Sequence, residues 1–146
     1  MRHYYIYLLK PEIASNYFGK EWLIYQLFVE GETAKKDLRT IAQKQINYIS
    51  GTIPTLQIKK NLDKALRIRN DFYVLKEHYY IDIKALESKA VLKDHGNMLT
   101  ISASGSYQAE TVFFEVLRQI NPAFFAMDFE NRNYGWLNPV KQVNYI

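Results

Sequence analysis

GSYQAETVFFEVLRQINPAFFAMDFENRNYGWLNP, residues 105–139, reads as helix, strand and strand, and that order decides the fold class. Ser106 stands where an N-cap is expected, its hydroxyl placed to accept an orphan backbone N–H, and Glu110 complements the positive end of the helix dipole. Val112, Phe113, Val116, Leu117 and Ile120 recur at helical spacing and give the helix a broad apolar face. Asn121-Pro122 ends it, because the proline ring disfavours helical geometry in the residue before it. Residues 123–129 then form a short apolar run of strand length. Residues 131–133 make a turn into an aromatic strand over 134–137. A helix packed on paired strands is a two-layer unit, and the rest of the chain must pack around it.

Outward from this block, residues 88–93 and 98–103 alternate in hydropathy across the turn formers Asp94, His95, Gly96 and Asn97, and read as a hairpin. Residues 2–9 read as a largely buried strand, and Lys10-Pro11 opens a short helix over 12–18 that carries Ile13 and Tyr17 on one face. A helix over 20–30 takes its apolar content from Trp22, Leu23, Leu27 and Phe28, with Gly31 expected to end it. Residues 35–49 show the clearest amphipathic pattern of this half, with Leu38, Ile41, Ala42, Ile46 and Ile49 expected on the buried stripe. Residues 55–69 form a further helix with Ile58, Leu62, Ala65 and Leu66 inward, and Lys60, Lys64 and Arg67 together on another face. Residues 72–85 fit either helical turns or a strand, since short apolar runs are not resolved by periodicity. The expected architecture is a single α+β domain over 1–146, a mixed or mainly antiparallel sheet covered by helices.

Composition narrows the chemistry. With 146 residues the chain suits one domain that buries roughly two thirds of its unfolded surface. There is no cysteine, hence no disulfide, thiolate nucleophile or Cys-based metal site. His3, His78 and His95 share no metal-motif spacing. The run Ser102, Ser104, Gly105, Ser106 lacks the P-loop lysine, the dinucleotide fingerprint and the nucleophile-elbow glycine. Glu110 and Glu115 stand five apart and do not share a helical face, so capping and surface solvation account for them, while Asp128 reads as a strand-end residue satisfied by backbone donors, the alternative being a small-molecule enzyme site shared with the Ser104–Ser106 turn. No stretch reaches the about 18 apolar residues that span a bilayer. The net charge of +4 divides into +6 over residues 1–70 and −2 over 71–146, so the first half is the basic one. Lys60, Lys64 and Arg67 could meet phosphates, although no aromatic side chains interleave with them and a solvated helix face explains them as well.

The blocks HYYIYLLK (3–10), NYFGKE (16–21), KQINYI (44–49), AETVFFEVL (109–117), FFAMDF (124–129) and YGWLNPVK (134–141) resemble the sporulation inhibitor of replication, SirA, family of Bacillus and relatives. That resemblance implies a non-enzymatic, cofactor-free cytoplasmic regulator that binds the N-terminal domain of the replication initiator DnaA. It further implies a monomer that forms a heterodimer with its partner and reaches the nucleoid or replisome through it, with no membrane and no direct DNA binding. A basic nucleic-acid-binding module using Lys60, Lys64 and Arg67 is the competing expectation. By the same resemblance the partner-facing residues are Ile13, Tyr17 and Gln45, with Pro139 a weaker member. Ile13 stands where the family has an aromatic residue, which keeps an apolar knob and loses ring area. Spacing alone makes Gln45 a solvated boundary residue and lets Tyr17 pack inside; the resemblance turns both toward a partner.

Overall fold

A computed structural model describes residues 1–138. Seven strands form one sheet in the order β2-β3-β4-β5-β1-β6-β7. They are β1 (Arg2–Leu8), β2 (Phe72–Leu75), β3 (His78–Ile83), β4 (Ser88–Asp94), β5 (Leu99–Gly105), β6 (Phe124–Asp128) and β7 (Asn133–Trp136). Every pairing is antiparallel, which settles the choice between a mixed and an antiparallel sheet. Among the described residues five α-helices accompany it: α1 (Pro11–Asn16), α2 (Glu21–Thr33), α3 (Lys36–Ile49), α4 (Thr55–Leu66) and α5 (Gln108–Ile120).

The pleat of β1 explains the two-sided packing. Ile6 and Leu8 point into a core shared with α4 and α5, whereas Leu9 joins a second cluster with Ile24, Phe28, Phe125 and Met127. Neighbouring β6 does the same, sending Phe124 to the first cluster and Phe125 and Met127 to the second. Strands covered on both faces carry apolar residues at consecutive positions, which is why 123–129 reads as a run and 2–9 alternates only weakly. In β4 and β5 one face is buried, through Ala90, Leu92, Leu99, Ile101 and Ala103, and the alternation is clean. That is the pattern that marked 88–103 as a hairpin.

Several expectations are corrected. Of residues 72–85, which periodicity leaves open, a 3-10 turn begins at Lys84 (Lys84–Leu86) and 72–83 form a hairpin. Lys76 and Glu77 occupy its two-residue loop with φ of 52° and 65°, the left-handed geometry of a type I′ turn, without the Asn or Gly that normally signals one. Gly31 does not end α2, which continues to Thr33; it is buried within the helix, where a Cβ would come within 2.7 Å of Ile46 Cδ1, so its function is the close approach of α2 to α3. Trp22 is exposed and lies outside the core. Ala42 is the buried residue of α3, while Leu38 is 61% and Ile41 53% exposed, because α3 packs through Ala42 and Ile46 on α2 and leaves its outer edge uncovered. Ala65 is likewise exposed on α4.

Ser106 is not the cap of α5. Its hydroxyl bonds the Leu86 carbonyl, and the helix N-terminus is capped from another strand: Ser88 Oγ accepts the Ala109 N–H at 2.9 Å and donates to the Ser106 carbonyl at 2.6 Å. Nor is Glu110 solvated. It is 1% exposed, receives Arg2 through Nε and Nη2 at 2.7 Å each, and accepts the Tyr4 hydroxyl. Charge-assisted, bidentate bonding of this kind is what a buried carboxylate requires. Tyr4 is held well above the ordinary phenol range, by burial first and then by its bond to the Glu110 carboxylate.

Candidate functional site

The first half of the chain folds back on the end of β1. Lys10 N–H donates to the Ile49 carbonyl at 2.9 Å, and Gly51 N–H donates to the Leu8 carbonyl at 2.6 Å. These bonds bring the start of α1 to the end of α3. Helix α1 is too short to be stable alone, and Pro11 at its first position together with the docked ends of β1 and α3 fixes it in place. A turn through Gly19, at φ +83°, then reverses the chain into α2. Glu21 locks that turn, accepting the Gly19 N–H at 2.6 Å and the Trp136 indole N–H of β7 at 3.1 Å.

The result is a groove of about 340 Å³ between α1, α2 and α3, and it is lined by Ile13, Tyr17 and Gln45 together. Ile13 is half-buried and packs against the second core cluster, so its outer edge forms a fixed apolar floor. Tyr17, at the C-terminal cap of α1, is 37% exposed, held by its backbone N–H to the Ile13 carbonyl at 3.0 Å. A half-open tyrosine combines rigid apolar area with a polar tip. Gln45 is exposed on the α3 wall. Leu23, Ile24, Gln26, Leu27 and Glu30 of α2 and Ile49 of α3 complete the lining. Sequence reasoning counted Leu23 and Leu27 as apolar content of their helix; their i,i+4 spacing was the available signal that both share the groove-facing side. Pro139 lies outside the described residues.

The basic residues Lys60, Lys64 and Arg67 are exposed along α4, in a different part of the molecule. Lys60 borders a wide concavity of about 770 Å³ between α4 and the β2–β3 hairpin, where Asp63, Glu77 and Asp94 alternate with Lys59 and Lys60 and dilute the positive field. Asp128, 3% exposed, accepts the Asn131 backbone N–H at 3.2 Å and the Asn131 side-chain amide at 2.7 Å, so it is a satisfied strand-end carboxylate. It borders a concavity of about 330 Å³ beside α5 whose lining includes neither Ser104 nor Ser106. Among the described residues no group of three or more His, Asp or Glu side chains could hold a metal ion, and no helix is long and apolar enough to cross a membrane.

Fold and groove together define a small antiparallel α+β domain, with helices on both faces of its sheet, that presents a helix-lined groove of mixed polar and apolar character at its surface. The comparisons with known proteins make this more specific. The chain belongs to the SirA family: the family model described as "Sporulation inhibitor of replication protein SirA" matches residues 2–141. It is similar to the sporulation inhibitor of replication protein SirA of Bacillus subtilis (strain 168), with 42% identity over 147 residues and 99% of each chain covered.

Proposed function

We propose that this chain inhibits the initiation of chromosome replication during sporulation by docking the N-terminal domain of the initiator DnaA in the groove between α1, α2 and α3. The replication-inhibitor role follows from the family and from the name of the Bacillus subtilis relative. The DnaA partner follows from the family resemblance. The observation that carries the docking site is the convergence of Ile13, Tyr17 and Gln45, from separate helices, on one concavity. Its chemistry suits a protein surface, with an apolar floor, a tyrosine anchor and two amides, Gln26 and Gln45, to fix register. Inhibition is stoichiometric, one chain occupying one partner domain, with no cofactor and no catalytic step. The whole chain, 1–146, acts as a single domain, cytoplasmic and carried to the nucleoid by its partner.

Calorimetric titration with the isolated DnaA N-terminal domain tests the reading, and saturable one-to-one binding is expected. The competing nucleic-acid reading is separated by titrating labelled origin DNA at two salt concentrations. Tight binding to DNA that falls steeply with salt would move the function to the α4 lysines.

A further inference from the structure

We infer that the docking surface extends beyond the groove along the outer edge of α3, where Leu38, Ile41 and Tyr48 form an apolar ridge that the same protein partner covers. This rests on the reading given above. Leu38, Ile41, Gln45 and Tyr48 recur at i, i+3, i+7 and i+10, one stripe of a helix. Leu38, Ile41 and Tyr48 are 61%, 53% and 72% exposed. The stripe therefore stands beside the α2–α3 contact, not within it. It is continuous with the groove through Gln45, which belongs to both. Three large apolar side chains in line on a helix, adjoining a lined concavity, are the geometry that accepts an apolar partner surface.

Charge specifies the partner further. Lys10 Nζ lies 4.5 Å from the centroid of the Tyr48 ring. Lys44 is exposed one turn before Tyr48 on the same side of the helix. Tyr48 is thus bracketed by two cations at the groove end of the ridge. A partner that buries this ring and offers a carboxylate to the pair is complementary, and one that offers a cation is repelled. The occupant is accordingly an apolar patch of the DnaA domain with a carboxylate at the edge that meets Tyr48.

The test is association and dissociation kinetics of the full chain with the immobilised DnaA N-terminal domain. The L38A/I41A pair, both at exposed positions, should keep the thermal midpoint of the parent and lose about tenfold or more in affinity, chiefly through faster dissociation. Lys10→Glu/Lys44→Glu should slow association at low salt, with the difference shrinking as salt rises. Parent-like affinity in a folded L38A/I41A pair overturns the ridge while leaving the groove reading intact. An unchanged association rate in the charge-reversed pair overturns the carboxylate assignment. Absence of parent binding removes both the groove reading and this extension. Sedimentation of the chain alone covers the remaining occupant: a self-association abolished by L38A/I41A would assign the ridge to a second copy and overturn the proposal.

Discussion

Replacing Ser88 by alanine tests how α5 is held on the sheet. The Ser88 hydroxyl is 0% exposed and makes two bonds at once, accepting the Ala109 N–H at 2.9 Å and donating to the Ser106 carbonyl at 2.6 Å. Loss of an N-cap acceptor costs about 1 kcal/mol. The Ser106 carbonyl keeps its bond from Arg2 Nη2 at 3.2 Å, so losing the hydroxyl as its second donor costs about 1 kcal/mol more. The sum is roughly 2 kcal/mol, or about 4–8 °C in melting temperature for a chain of this size. Urea denaturation followed by circular dichroism measures it, and an unchanged m-value would show that the substitution leaves the surface exposed on unfolding unaltered. The informative control is Ser106→Ala. Its hydroxyl makes a single 3.2 Å bond to the Leu86 carbonyl, so a loss of about 1 kcal/mol or less is expected. If Ser106→Ala destabilised the protein as much as Ser88→Ala, the cap would be local after all and the cross-strand account would be wrong.

Two further predictions concern the same region of the fold. A Cβ at Gly105 would lie 1.5 Å from the Glu87 carbonyl oxygen, and φ is +76°, so Gly105→Ala should lose more than about 3 kcal/mol or fail to fold. Gly96→Ala, at φ +88° with nothing within 4 Å, carries only the backbone term of about 1 kcal/mol, and comparing the two melting temperatures isolates the steric part. Alkaline stability should follow Tyr4. Its folded-state value is raised, so the unfolded chain releases this proton first, at about pH 10. The contribution is complete below that pH and is lost as pH rises through the folded value. Tyr4→Phe should lower stability at neutral pH, through the lost bond to Glu110, and show a shallower decline in urea midpoint above about pH 10.

Much of this architecture was legible because local signals and tertiary packing agree in it. Pro122 ends α5, the Asp94–Asn97 cluster turns β4 into β5, and the consecutive apolar positions of β1 and β6 follow from helices on both faces of those strands. What was not legible depends on groups far apart in sequence. The cap of α5 comes from Ser88, about 20 residues upstream, while the nearer Ser106 offers the standard local signature. Lys76 and Glu77 enter the left-handed region because the pairing of β2 with β3 requires it, against their own preference. Periodicity marked Leu38 and Ile41 as apolar without saying what covers them, and α2 covers only the neighbouring Ala42 side. At the candidate site, spacing put Ile13 and Tyr17 on one face. That Gln45 joins them depends on the Lys10–Ile49 bond between the start of α1 and the end of α3, which no local pattern contains.

The groove itself is tested most directly by calorimetric titration of the DnaA N-terminal domain into the parent chain and into Tyr17→Ala. Tyr17 is 37% exposed, so its truncation leaves the core in place and the variant should melt within a few degrees of the parent. As the anchor of the groove it should contribute about 2 kcal/mol, so the variant binds roughly thirtyfold more weakly at unchanged stoichiometry. A folded Tyr17→Ala chain that binds with parental affinity, or a parent chain that produces no binding heat at all, would contradict the account.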